Sequence, residues 1–196
     1  RDAFDYITVD EFHHADAPTY RRLLEHFEPQ FLLGLTATPE RTDGGDLLAL
    51  CGENLVYRAD LFDGIQRGRL SRFHYFGVPD EVEYENIPWR SGRFDPDSLT
   101  QAVATETRAA NALAQLRLRG GKRTLAFCVS VRHADFMRDY LTARGYRAAT
   151  VHSGAESMPR GEAIDRLRLG KLDVVLSVDM FNEGVDIPSV DTVLML

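Results

Sequence analysis

Among the 23 basic residues of this 196-residue chain only Lys122 and Lys171 are lysines, and neither stands in a loop built to cradle phosphates. Such a loop needs a glycine five positions before its last one, where this chain has Leu116, and a Ser or Thr after its lysine, where it has Arg123. Gly120-Gly121-Lys122 instead follows an Arg- and Leu-rich helical stretch and precedes the β-prone run Thr124 to Cys128, so it reads as a helix stop. Cysteine is also scarce. Cys51 and Cys128 lack metal-ligand spacing, which predicts two reduced, packed thiols in a cytoplasmic chain. The adjacent His13 and His14 do not by themselves make a zinc site. No apolar run approaches the roughly 20 residues that cross a bilayer, and no signal-peptide pattern opens the chain, so no membrane partner is expected.

The formal charge of −7 argues against a generic basic nucleic-acid binder. Any grip on a polynucleotide has to be local, made from backbone amides and a few placed arginines. With 44% hydrophobic and 27% charged residues, the chain can build one large or two small packed domains.

The richest segment comes first. Phe4, Tyr6, Ile7 and Val9 form a short β-prone run that a parallel sheet would bury on both faces and that delivers Asp10 and Glu11 to its carboxyl end. Ligands bind at that end of such sheets. An Asp there can hold a hydrated magnesium, and a neighbouring Glu can orient or deprotonate the water that attacks a γ-phosphate. The same pair also suits the amino end of a following helix, whose dipole favours negative charge.

Alternating strand and helix signals then run along the chain, the mark of parallel α/β construction. The pattern predicts a helix over Thr19 to Phe27, a strand over Phe31 to Leu35, a weak helix over Leu47 to Leu50 and a strand over Leu55 to Arg58. Asp60 is placed to cap a helix reaching about Arg67. Phe73, Tyr75, Phe76 and Val78 suggest a crossing strand, and the acidic Asp80 to Asn86 reads as linker. One long amphipathic helix is expected over Asp97 to Leu118. Strands follow near 123–128, 147–151, 173–178 and 191–195, with helices near 132–144 and 156–169. The expected organisation is a first lobe over residues 1–70, a linker over 71–95 and a second lobe over 96–196.

Four blocks in order give the chain a resemblance to the motor core of superfamily 2 helicases and translocases. Val9-Asp10-Glu11-Phe12-His13 resembles the DExH box, and Gly34 to Arg41 resembles the block that links hydrolysis to movement. Thr124 to Ser130 resembles the first strand of the second RecA-like lobe, and Val175 to Pro188 resembles the block containing Glu183-Gly184-Val185-Asp186-Ile187-Pro188. The flavour is that of the bacterial branch with restriction-enzyme motor subunits and DNA-repair helicases.

The resemblance implies two RecA-like parallel-sheet lobes, the first incomplete, that hydrolyse ATP with magnesium and step along nucleic acid, DNA in preference to RNA. It assigns Asp10 to magnesium through water and Glu11 to catalysis. His13, Thr36 and Thr38 would couple nucleotide state to the track, and Gly184 and Asp186 would face the nucleotide from the second lobe. Ser130, Ser177 and His152 would lie near the polynucleotide. For these residues the plainer readings are helix caps, a hydroxyl-rich turn and a satisfied loop histidine. The family's phosphate loop would precede residue 1 and its last arginine block would follow residue 196. The chain therefore reads as a fragment, inactive alone, of a parent with room for nuclease or accessory domains. Two alternatives stand beside it: a non-catalytic RecA-like scaffold, and a nuclease using Asp10 and Glu11, which lacks further carboxylates at suitable spacing.

Overall fold

The computed structural model describes residues 3–15, 17–38, 48–182 and 184–196. It divides into two compact units, Arg1–Phe76 and Gly77–Leu196.

In the first unit, β1 (Tyr6–Val9) and β2 (Phe31–Gly34) pair in parallel, with Tyr6 opposite Phe31 and Val9 opposite Gly34. Between them runs α1 (Pro18–His26), opened by a proline at its first turn, where the missing N–H costs nothing. The core here is small. Phe12 and Ala15 are buried, with Val9, Leu24, Leu50 and Cys51 packed around them. Gly34 is required at its position because a Cβ there would stand 2.5 Å from the Phe12 ring. Tyr6 and Phe31 stack at 4.9 Å between centroids, yet each ring stays about half exposed, at 57% and 48%. Asp60 caps α2 (Leu61–Gln66) as its sequence position suggests, accepting from the Asp63 N–H at 2.8 Å while Asp63 reciprocates at 3.4 Å.

Two expected strands are absent among the described residues. Leu55 to Arg58 and Phe73 to Val78 enter no ladder, and their large apolar side chains are exposed. Their β-branched and aromatic residues suit a pleated surface, but a strand forms only where a neighbour completes its hydrogen bonds. The expected helix over Leu47 to Leu50 shrinks to one 3-10 turn at Ala49–Cys51, and Leu47 lies outside the described residues.

The second unit holds a four-stranded parallel sheet in the order β6-β7-β5-β8, made of β5 (Thr124–Phe127), β6 (Ala148–Val151), β7 (Val174–Ser177) and β8 (Thr192–Met195). A short hairpin, β3 (Trp89–Arg90) with β4 (Arg93–Phe94), precedes it. The period of two decides which helices cover which face. Val174, Leu176 and Ala126 pack with α4 (Glu106–Arg119) and α5 (Val131–Thr142), whereas Val175, Leu125 and Val151 pack with α6 (Arg160–Arg168).

The single long helix expected over Asp97 to Leu118 is two helices, α3 (Pro96–Val103) and α4, parted at Ala104–Thr105. The Thr105 hydroxyl accepts the Arg108 N–H at 3.3 Å, so a cap wins where periodicity alone would continue the helix. Gly120-Gly121 does stop α4: the Gly120 N–H donates to the Leu116 carbonyl at 2.8 Å. Asp191 then accepts the N–H groups of Lys122 at 2.8 Å and Arg123 at 3.1 Å. Burial alone would raise the Asp191 carboxyl, but those two amides and the Thr192 hydroxyl hold it below the usual carboxylate range.

Candidate functional site

The tips of β1 and β2 carry the acidic pair and the threonine turn, and backbone bonds tie these tips together. The Leu35 N–H donates to the Val9 carbonyl at 2.9 Å, and the Phe12 N–H donates to the Leu35 carbonyl at 2.8 Å. Glu11 is left-handed, at φ 49 and ψ 47, which costs a non-glycine residue about 1–2 kcal/mol. Its N–H donates to Asp10 Oδ1 at 2.9 Å, and buried Phe12 anchors the next residue, so its surroundings hold the strained turn. His13 Nδ1 lies 3.2 Å from Thr36 Oγ1 and 3.5 Å from Glu11 Oε2. The Thr38 N–H donates to Thr36 Oγ1 at 3.1 Å. His13, Thr36 and Thr38, expected to act together, therefore form one chain beside Glu11. With Nδ1 protonated the ring donates toward Glu11 or Thr36; unprotonated, it accepts from Thr36.

Among the described residues there is no group of three or more metal-ligating side chains. Magnesium keeps most of its waters and binds through one or two carboxylates together with substrate phosphates, a donor set that Asp10 could join. Asp10 is exposed, and only Oδ1 is engaged by the Glu11 amide. The remainder of the second block, Pro39, Glu40 and Arg41, lies outside the described residues.

In the second unit the expected site residues gather at the carboxyl ends of β5, β6 and β7. Ser130 caps α5: its Oγ accepts the His133 N–H at 3.1 Å and shares a 2.8 Å bond with the Thr100 hydroxyl. The geometry revises two expectations. His152 is buried and both ring nitrogens are engaged. Nδ1 accepts the Gly154 N–H at 2.9 Å, so Nε2 carries the proton and donates to Asp135 Oδ1 at 3.2 Å. Ser177 is fully buried, its Oγ without a partner among the described residues, and its hydroxyl cannot reach a polymer as it stands. The strand ends were legible in the sequence, whereas burial there depends on long-range packing.

Gly184 is left-handed at φ 65, and Asp186 is exposed, while Val185 and Ile187 between and after them pack into the core. This alternation turns Gly184 and Asp186 outward from a loop fixed by its neighbours. Glu183 lies outside the described residues.

Sequence reasoning missed three supports. Asp135 Oδ1 also accepts from Arg138 at 2.9 Å and from Thr150 at 3.3 Å, and so orders the His152 loop. Arg160 donates to the Gly184 carbonyl at 3.1 Å and covers the Phe181 ring at 5.3 Å. Asp179 is left-handed at φ 56 and accepts from Asn182 at 3.3 Å. Only Asp179, a short polar residue just past a strand, carried a sequence signal for such a backbone.

An acidic strand tip wired to a threonine turn, followed by a parallel sheet with a glycine-aspartate loop, fits a RecA-like α/β fold. The chain resembles the superfamily 2 helicases over both units. Residues 108–196 match the helicase conserved C-terminal domain, and residues 1–41 match the type III restriction enzyme res subunit. The putative ATP-dependent helicase IRC3 of Saccharomyces cerevisiae is 25% identical over 96% of this chain and 29% of its own length. UvrABC system protein B of Idiomarina loihiensis is 32% identical over 57% of this chain and 16% of its own length. The chain thus spans less than a third of the length of these relatives. In fold it resembles S. cerevisiae Dbp5 L327V bound to Gle1 H337R and IP6, with a TM-score of 0.51 and 14% identity over 98% of this chain and 43% of that one. No helix among the described residues is long and apolar enough to cross a membrane.

Proposed function

We propose that the chain belongs to an enzyme that hydrolyses ATP with magnesium to move along nucleic acid, DNA in preference to RNA. The observation that carries this reading is the link from Glu11 through His13 to Thr36 and the Thr38 amide, at 3.5, 3.2 and 3.1 Å. It joins a candidate catalytic carboxylate to the tip of the neighbouring strand, as a motor needs if nucleotide state is to be felt elsewhere. Asp10 would hold hydrated magnesium. Glu11 would orient the attacking water and accept its proton, and Gly184 and Asp186 would contact the nucleotide from the second unit. Magnesium would neutralise charge developing on the phosphates.

For the polymer, Ser130 at the start of α5 is the accessible contact, and His152 and Ser177 serve beneath that surface. The preference for DNA rests on the resemblance to restriction and repair motors. The 196 residues alone are expected not to turn over ATP, because neither lysine stands in a phosphate-cradling loop. A non-catalytic scaffold is the rival, but a scaffold gains nothing from a carboxylate pair at a strand tip with Glu11 held in a strained backbone.

Amide exchange in the complete gene product tests the assignment. Adding Mg2+ with a non-hydrolysable ATP analogue should slow exchange across residues 10–14 and again across 184–187. Protection confined to one of these segments would contradict it.

A further inference from the structure

We infer that the amino-terminal edge of the second unit's sheet is a second contact surface for nucleic-acid phosphates, on the opposite edge from Ser130. This goes beyond the proposed function and needs neither Asp10 nor Glu11. The charges of this unit's strand-connecting loops are segregated, although Arg132 and Arg160 open helices at the carboxyl edge. The loops entering β5, β6 and β7 carry Lys122, Arg123, Arg144, Arg147 and Lys171, whereas the loops leaving the strands carry Glu156, Asp179 and Asp186. Among the loops, the edge where phosphates would be expected in such a fold is thus the acidic one, and the loop cations collect at the other.

The two carboxylates on the basic edge are already occupied. Asp173 pairs with Arg147, and Asp191 accepts the amides of Lys122 and Arg123. Arg123 and Arg147 also donate to the carbonyls of Leu167 and Gly170. The ammonium groups of Lys122 and Lys171, the chain's only lysines, are exposed and have no ion-pair partner among the described residues.

Three glycine turns meet here around an open cavity of about 430 Å³, lined by Gly121–Arg123, Gly145–Arg147, Gly170 and Asp173. The chemistry favours phosphates over a protein partner. Protein interfaces are anchored by buried aromatic or aliphatic groups, whereas nucleic-acid interfaces are polar, wet and positive. The cavity wall offers glycine, charged side chains and Tyr146, whose ring is committed to the core. Flexible lysines at fixed backbone positions grip a sugar-phosphate chain without reading its sequence.

The test measures binding of the 196-residue chain to fluorescent single-stranded DNA, duplex DNA and RNA across a salt series, against the double variant Lys122→Glu/Lys171→Glu. Each lost phosphate contact removes about 0.9 from the slope of log affinity against log salt on duplex DNA, so the double variant should lose roughly 2. Its affinity near 0.1 M salt should fall at least tenfold. Because both ammonium groups are unpaired, the thermal midpoint should not move. If charge reversal does lower it, Lys122→Ala/Lys171→Ala should still lose the same slope. An unchanged slope in both variants would overturn the inference. So would binding of poly-glutamate, rather than nucleic acid, that depends on these lysines, since that would mark an acidic protein partner.

Discussion

Glu11→Gln is expected to leave Mg2+-ATP binding by the complete gene product close to its unmodified level while polymer-stimulated turnover falls roughly 10²- to 10⁴-fold, the range for loss of a general base. The substitution keeps the side chain's size and the backbone that holds it. The Glu11 N–H still reaches Asp10 Oδ1, and Phe12 still fills the space over Gly34. What is lost is the carboxylate that can take a proton from water, together with its 3.5 Å approach to His13. Measuring nucleotide affinity and phosphate release on one preparation separates the two effects. Turnover near the parental rate would remove Glu11 from the chemistry. Equal loss of binding and turnover would instead assign Glu11 to holding nucleotide.

The second large effect is acid instability of the second unit, centred on His133. This ring is buried in α5 with Nδ1 unpartnered among the described residues, so its charged form would be poorly solvated. Burial, and then the nearby Arg108 guanidinium, lower its pKa to about 4. Because the folded value lies below the ordinary histidine value, the ring's contribution to stability is whole above pH ~6.5. It drains away as pH falls toward 4, by on the order of 3 kcal/mol. Arg108, held in place by the Val103 carbonyl and Asp80, is itself a cation and adds repulsion to that charge. Denaturant unfolding of the unmodified chain and of His133→Gln, compared at several pH values over this window, should show a flatter dependence in the variant. Parallel curves would mean that other groups control acid unfolding.

The second unit was legible in the sequence because a strand buried on both faces is written as an apolar run. Val174-Val175-Leu176 is the clearest case, and all four strands of its parallel sheet and the helices α5 and α6 lie where the pattern put them, whereas the β3–β4 hairpin falls in the expected linker. The interruption at Thr105 was not legible. A β-branched residue fits a helical pattern as well as it caps a new helix, and the choice is made by α3 and α4 packing separately. Leu55 to Arg58 and Phe73 to Val78 show the opposite failure: their composition favours strand, but no neighbouring strand completes them among the described residues.

The candidate site divides in the same way. Asp10, Glu11, Thr36 and Thr38 sit at strand ends, which a sequence marks by where apolar runs stop. His152 and Ser177 were equally well marked, yet their accessibility was set by the local turn to Gly154 together with Asp135 and the neighbouring strands, which are near in space and distant along the chain. Arg160 has no signature short of the fold itself, because its partner is the carbonyl of Gly184, 24 positions away.

The most direct measurement of the central claim is ATP turnover by the complete gene product at one fixed salt concentration, alone and with single-stranded DNA, duplex DNA or RNA. A motor built on these residues should hydrolyse ATP slowly by itself and markedly faster with nucleic acid, most of all with DNA. A rate that no polymer changes, in a preparation that binds both nucleotide and nucleic acid, would contradict it.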